Sequence, residues 1–244
     1  LIHDFPNTEQ SERFILAFYK TMQREWAGID RLRLDKFYNL IRCFQLETFR
    51  YLAKQGWEEE AVGRINTIIE EGPLCLRSEK FMSLGLQLHM IDIFLDEVTD
   101  VVDDGMSADS WLRIMEPYFN MMRSQCDKSV FDRIYRRIFL ELANTKWLRS
   151  SVEEGNSDDD ISTKPLRHVN RMFRHTYIEP LPKQSVNGHF KRPDFAQQVA
   201  KSLAQKIFSV TVDPQTWHYA RVKLYDLLEE YKSLCLDLGV SFVP

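Results

Sequence analysis

Turn-forming residues are scarce in this sequence. It holds 9 glycines and 9 prolines among 244 residues, whereas the two types together make up roughly 12% of an average protein. No apolar run approaches the ~18 residues of a membrane span, and the four cysteines include no C-x-x-C pair. These absences disfavour a collagen-like, low-complexity or many-turned β-sandwich chain, a membrane span and a disulfide scaffold.

Catalytic signatures are missing as well. The sequence has no G-x-S-x-G, H-E-x-x-H, P-loop or dinucleotide-binding glycine pattern. A histidine and four aspartates share one helical face at spacings of three and four residues, which resembles a metal site. This spacing is common in acidic helices, so we favour a solvated acidic face over a metal site and predict neither metal nor cofactor. Cys43 and Cys126 have apolar neighbours at helical spacing, which favours structural cysteines over nucleophiles. The residues of that acidic face are His89, Asp92, Asp96, Asp100 and Asp103.

Apolar residues recur at intervals of three and four almost throughout the chain. This period is typical of amphipathic α-helices, and it predicts eight helices and no sheet. Caps, glycines and prolines set the predicted bounds. In chain order, the first helix follows Asn7 and Thr8, the second runs from Asp30 to Gly56, the third covers about 57–71, the fourth covers about 81–104, the fifth follows Ser107 and is kinked or broken at Pro117, the sixth covers about 131–142, the seventh begins at Pro193, and the eighth follows Pro214 and ends near Gly239.

Long helices joined mainly by short loops predict an all-α fold of stacked antiparallel pairs, as in α-solenoids of the HEAT or armadillo kind. A compact helical bundle is the competing architecture, and we favour the solenoid. The helical period fails from residue 150 to 192, where prolines and an acidic Ser/Asp run predict a long charged loop or linker. The expected organisation is a helical-repeat region over 1–149, the linker over 150–192, and a C-terminal helix pair over 193–244 that packs on the same domain.

The formal charge of −4 and the isoelectric point of about 5.9 conceal blocks of opposite sign. The net charge is +4 over residues 20–54, −10 over 57–110, +4 over 111–149, −5 over 150–160 and +6 over 161–192. A near-neutral total would argue against nucleic acid. The blocks instead fit a molecule that contacts both RNA and protein.

Basic residues in three places are candidates for contact with RNA or with an acidic protein surface. One group lies on the outer face of the second helix, another in the block 111–149, and a third in the segment 161–192, where basic and aromatic residues alternate as in RNA-binding segments. A solvated helix face or linker is the alternative interpretation. The candidate contact residues are Arg31, Arg33, Lys36, Arg42, Arg50, Arg136, Arg137, Arg167, Arg171, Arg174, Lys191 and Arg192.

Two motifs carry a family resemblance. Residues 26–38, WAGIDRLRLDKFY, closely resemble the hallmark of the ribosomal RNA processing protein 1 family, eukaryotic nucleolar factors of large ribosomal subunit assembly. Residues 85–97, GLQLHMIDIFLDE, match a second family pattern, with Ser83 where a proline is common and Gln87 where a basic residue is common. The chain begins at Leu1 without the opening helices of the family, so we expect a processed or partial chain.

The resemblance implies an all-helical, non-catalytic scaffold in the nucleolus. It also implies a place in early large-subunit precursors, beside assembly factors, ribosomal proteins and pre-rRNA, where it supports processing of the internal transcribed spacers. No membrane or small-molecule substrate is expected. The runner-up interpretation is a helical adaptor that acts only through proteins. A hydrolase or nuclease that uses Asp92 and Asp96 is the least favoured.

Overall fold

The computed structural model describes residues 1–76, 83–102, 105–144, 148 and 193–242. Within these residues the chain forms eight helices and no β-strand, which confirms the all-α prediction. The predicted linker over residues 150–192 lies outside the described residues. The helices are α1 (Thr8–Glu25), α2 (Leu34–Lys54), α3 (Glu59–Glu71), α4 (Leu84–Thr99), α5 (Ala108–Arg123), α6 (Lys128–Ile134, continued by a π-helical stretch Tyr135–Leu140 and by Glu141–Asn144), α7 (Pro193–Val212) and α8 (His218–Asp237).

The helices pack in two series. The odd-numbered helices α1, α3, α5 and α7 contact one another in that order, and the even-numbered helices α2, α4, α6 and α8 do the same. Successive helices therefore alternate between two layers. Stacked antiparallel helix pairs produce this order of contacts, which agrees with the predicted solenoid.

The C-terminal helices pack against the earlier ones. The buried hydroxyl of Tyr231 in α8 donates to the carbonyl oxygen of Phe139 in α6 at 3.0 Å. Lys206 in α7 forms an ion pair with Glu116 in α5 at 2.8 Å. The apolar sides of all eight helices join in one hydrophobic core.

Side-chain caps decide where the first two helices begin. Asn7 Oδ1 accepts the N–H of Gln10 at 2.9 Å, so α1 begins where the sequence predicts. The predicted start of α2 at Asp30 is wrong by one turn. Asp30 Oδ1 accepts the N–H groups of Leu32 and Arg33, both at 3.0 Å, which forms a separate turn over residues 31–33 before the α-helix.

Helix α5 does not break at Pro117, contrary to one of the two outcomes predicted for that residue; it continues to Arg123. Proline has no N–H to donate to the carbonyl four residues earlier, which in α5 belongs to Arg113. Asn66 Nδ2 from α3 donates to that carbonyl oxygen at 2.6 Å. The side chain from the neighbouring helix thus replaces the missing backbone bond.

Of the helices that the structure describes, none has both the length and the apolar composition needed to cross a lipid bilayer.

Candidate interaction surface

The two sequence motifs lie side by side. The first covers a 3₁₀ turn, Trp26–Gly28, and the start of α2, and the second covers most of α4. The ring centroid of Tyr38 lies 5.3 Å from that of Trp26 and 4.4 Å from that of His89. His89 Nε2 is also 2.9 Å from the carbonyl oxygen of Tyr38, so a protonated Nε2 donates to it. A row of three rings therefore joins the motifs.

Glycine at position 85 allows α4 to approach the first motif. A Cβ atom added to Gly85 would lie 3.1 Å from Nε1 of Trp26, closer than an ordinary van der Waals contact. Ser83 caps α4 by accepting the N–H of Leu86 at 3.4 Å, and Gln87 donates to the carbonyl oxygen of Cys75 at 2.9 Å. The two residues that depart from the family pattern thus have structural partners in this chain.

Arginines from both sides hold the acidic face of α4. Arg42 of α2 pairs with Asp96 at 2.6 Å and also with Glu97. Arg133 of α6 binds both carboxylate oxygens of Asp92, at 2.8 and 2.9 Å. In the sequence these acids resemble a solvated face. In the structure they instead tie α4 to its two neighbours in the even-numbered layer.

Burial controls the protonation of His89. Loss of water around the ring lowers its pKa to about 4, even though the hydrogen bond to Tyr38 and the charge of Asp92 act in the opposite direction. The imidazole is therefore neutral near pH 7 and serves as a hydrogen-bond donor. It is not poised as a general acid or base, which needs a pKa near the working pH.

Cys43 and Cys126 lie close to Arg42 and Arg123 in the sequence, but neither thiol has the lowered pKa of an activated cysteine. Burial raises the pKa of the Cys126 thiol to about 11. Burial is also the main cause that raises the pKa of Cys43, followed by the negative charge of Glu97. A nucleophilic cysteine needs a lowered pKa, so both thiols fit the structural role that the sequence favours.

Another part of the first motif points to solvent. Arg31, Leu32 and Lys36 are exposed, and the exposed fraction of Leu32 is 88%. Asp30 holds this turn with its two backbone hydrogen bonds and an ion pair with Arg33, and the Arg33 side chain lowers the pKa of Asp30. Sequence reasoning missed Leu32, because a leucine in an amphipathic pattern is expected to face inward. Leu32 also falls inside the helix that the sequence predicts from Asp30, so the helical period holds no signal for the turn over residues 31–33.

The candidate basic residues fall into three groups. Arg31, Lys36 and Arg136 are exposed and have no ion pair within the described ranges. A second group has carboxylate partners inside the chain. Arg33 pairs with Asp30, Arg42 with Asp96 and Glu97, Arg50 with Glu47, and Arg137 with Asp92 and Glu141. The third group lies outside the described residues: Arg167, Arg171, Arg174, Lys191 and Arg192.

Comparison with known proteins matches most of the chain to one family. A family model described as "Nucleolar protein, Nop52" matches residues 1–174. Human Ribosomal RNA processing protein 1 homolog B is 27% identical over 265 residues, which cover 99% of this chain and 34% of that protein. Human Ribosomal RNA processing protein 1 homolog A is 39% identical over 139 residues, which cover 57% of this chain and 30% of that protein. The Caenorhabditis elegans homolog is 27% identical over 161 residues, which cover 65% and 40%. The chain thus spans about a third of the length of the two human relatives.

Proposed function

The chain belongs to the Nop52 family of nucleolar proteins, and on this premise we propose that it is a non-catalytic ribosome biogenesis factor. It acts as a helical scaffold in nucleolar precursors of the large ribosomal subunit. There it supports pre-rRNA processing, including that of the internal transcribed spacers, and particle assembly. Its partners are other assembly factors, ribosomal proteins and pre-rRNA.

The names of the relatives are the main support for this role. Ribosomal RNA processing protein 1 homologs from human and mouse align with nearly the whole chain or with more than half of it. The description of the family model as a nucleolar protein also supports a nuclear, nucleolar location. The chain spans about a third of the length of the human relatives. The proposal therefore concerns the helical region that carries both motifs.

The arrangement of the motifs supports a scaffold rather than an enzyme. Their polar groups join helices: His89 is neutral and bonded to Tyr38, and Asp92 and Asp96 neutralise arginines. An acid–base or metal-assisted nuclease needs such groups to be available to substrate. Their engagement inside the fold favours a structural use of the most distinctive residues.

Contacts with pre-rRNA or partner proteins are assigned to the exposed basic residues. Arg31 and Lys36 on the first motif and Arg136 on α6 have uncompensated charges within the described part of the chain. Such charges bind phosphate or acidic protein groups over short range. The paired arginines are weaker candidates for the same contacts, and the basic segment 161–192, which lies outside the described residues, stays a prediction.

Conditional depletion tests the function. After depletion, we expect precursors that contain internal transcribed spacers to accumulate and mature large-subunit rRNA to fall, relative to small-subunit rRNA, in Northern hybridisation. Re-expression of the protein should restore both. Unchanged precursor levels after complete depletion would contradict the proposal.

The second candidate function is a helical adaptor that acts through proteins only, which the pairing of Arg42 and Arg137 with carboxylates of the neighbouring helix α4 favours. RNA crosslinking in cells, followed by sequencing, separates the two. Large-subunit pre-rRNA reads above background support contact with RNA. Their absence, together with a processing defect on depletion, supports the adaptor.

A further inference from the structure

We propose that the exposed side of the first motif binds a segment of a partner protein that combines acidic residues with apolar residues such as leucine. This surface, which we call the motif surface, consists of Arg31, Leu32, Lys36 and Leu40. The inference rests on the proposed function and deepens it, because it names the class of partner that the scaffold holds.

The apolar part of the motif surface is unusually open. Leu32 is 88% exposed and Leu40 is 43% exposed. Leu32, Lys36 and Leu40 follow one another at intervals of four residues, and Leu40 lies one turn after Lys36 on α2. Exposed leucines on both sides of an exposed lysine offer apolar area that a protein partner can cover.

The charge of the motif surface selects an acidic partner. Arg31 and Lys36 have no carboxylate partner among the described residues. The acids of the same stretch form no ion pair with them, since Asp30 is bonded to Arg33 and to two backbone N–H groups, and Asp35 has no ion pair among the described residues. Cations beside an open apolar patch complement a segment that combines carboxylates with apolar side chains.

The aromatic rings of the motif argue against RNA at this place. Single-stranded RNA is held by bases stacked on exposed aromatic rings together with phosphate contacts. Trp26 is only 6% exposed, and Tyr38 faces His89. The motif surface therefore offers leucines and cations but no stacking platform, which fits a peptide better than a nucleic acid.

Peptide selection tests this proposal without a known partner. The protein is immobilised and panned against a phage-displayed library of random peptides, and a selected peptide is measured by fluorescence anisotropy. We expect the selected peptides to combine Asp or Glu with Leu, Ile or Phe. We expect Leu32→Ser, and separately Arg31→Glu with Lys36→Glu, to weaken binding at least about tenfold, as loss of a central interface residue does.

Two variants elsewhere serve as matched controls. Leu236→Ser removes a leucine that is 77% exposed on α8, and Lys201→Glu reverses an exposed lysine on α7 that has no ion pair in the described structure. Both controls should bind the peptide as the unaltered protein does. Circular dichroism and thermal unfolding verify that all variants are folded, which is expected because the changed side chains are exposed.

Three results would overturn the proposal. The first is a selection that enriches no acidic–apolar peptide, and the second is a selected peptide that the motif-surface variants bind as tightly as the unaltered protein. The third is binding of an oligouridine RNA that Arg31→Glu with Lys36→Glu abolishes and Leu32→Ser leaves intact, because it would assign the surface to RNA. None of these results bears on the depletion phenotype, so failure of this proposal is distinguishable from failure of the proposed function.

Discussion

Arg42 illustrates how a residue changes its meaning between sequence and structure. Its position on the outer face of a predicted helix makes it a candidate contact for RNA. In the structure its guanidinium lies between α2 and α4 and pairs with Asp96 and with Glu97, whose exposed fraction is 4%. Helical periodicity assigns a residue to a face, but it does not reveal which neighbouring helix covers that face. Arg42 therefore links α2 to α4 through ion pairs.

Replacement of Arg42 should reduce stability. Arg42→Met removes the cation that pairs with the buried carboxylate of Glu97, and loss of one partner of a buried ion pair is strongly destabilising. Because the Arg42 side chain is 34% exposed, we expect the free energy of unfolding, measured with urea, to fall by about 3 kcal/mol, the lower end of the range for a buried pair.

Two further variants isolate the cause of that loss. Adding Glu97→Gln to Arg42→Met should recover part of the lost stability, because the buried charge is removed. Arg50→Met breaks a partly exposed pair with Glu47 and should cost at most about 1 kcal/mol. Equal losses of unfolding free energy for Arg42→Met and Arg50→Met would mean that the ion pairs of Arg42 do not stabilise the packing of α2 against α4.

The lowered pKa of His89 makes stability depend on pH. The ordinary pKa of 6.5 falls to about 4 in the folded chain, mainly through burial. The unfolded chain thus binds more protons between these values, and stability decreases as the pH falls from about 6.5 to 4. His89→Gln keeps a donor for Tyr38 but does not titrate. In urea unfolding at several pH values, we expect this variant to lose less stability over that range, and identical slopes would contradict the assignment.

At the scale of elements, α5 shows how one helix depends on its neighbour. Pro117 lies inside the helix without ending it, since Asn66 of α3 donates to the carbonyl oxygen of Arg113. A sequence gives the proline but not the distant amide that compensates for it. For the same reason the sequence predicts the eight helices of the described residues but not the π-helical stretch Tyr135–Leu140, where Tyr231 of α8 donates to Phe139.

A double-mutant cycle tests this dependence. Asn66→Ala should lower the free energy of unfolding by about 1–2 kcal/mol, because it leaves the Arg113 carbonyl without that donor. In the Pro117→Ala background the restored N–H at position 117 reaches the same carbonyl, so Asn66→Ala should cost clearly less. An equal cost in both backgrounds would show that the amide and the proline are independent.

The sequence predicts the start of a helix correctly where the capping residue lies directly before that helix. Asn7 and Ser107 cap α1 and α5 as the sequence predicts. Asp30 caps a turn over residues 31–33 instead, which shifts the start of α2 to Leu34 and leaves Leu32 outside the amphipathic pattern. That local turn, which a helical period cannot describe, is the reason that Leu32 was missed.

At the scale of the whole molecule, the charge blocks divide into two uses. The acidic α4 and the basic residues of α2 and α6 neutralise each other across the even-numbered layer. Alternating blocks along the sequence thus report helix packing, and contact with partners is the use we propose for the exposed cations. Arg31, Lys36 and Arg136, which the sequence names as candidates, are exposed, but the sequence could not separate them from arginines that pair with carboxylates of other helices.

The central claim is that the first motif has a buried half that joins α2 to α4 and an exposed half that attaches the protein to its particle. Co-sedimentation with large-subunit precursors on a sucrose gradient tests it most directly, for the variant Arg31→Glu, Leu32→Ser, Lys36→Glu. We predict that this variant unfolds at the temperature of the unaltered protein and leaves the precursor fractions. A folded variant that stays in those fractions in unchanged amount would contradict the claim.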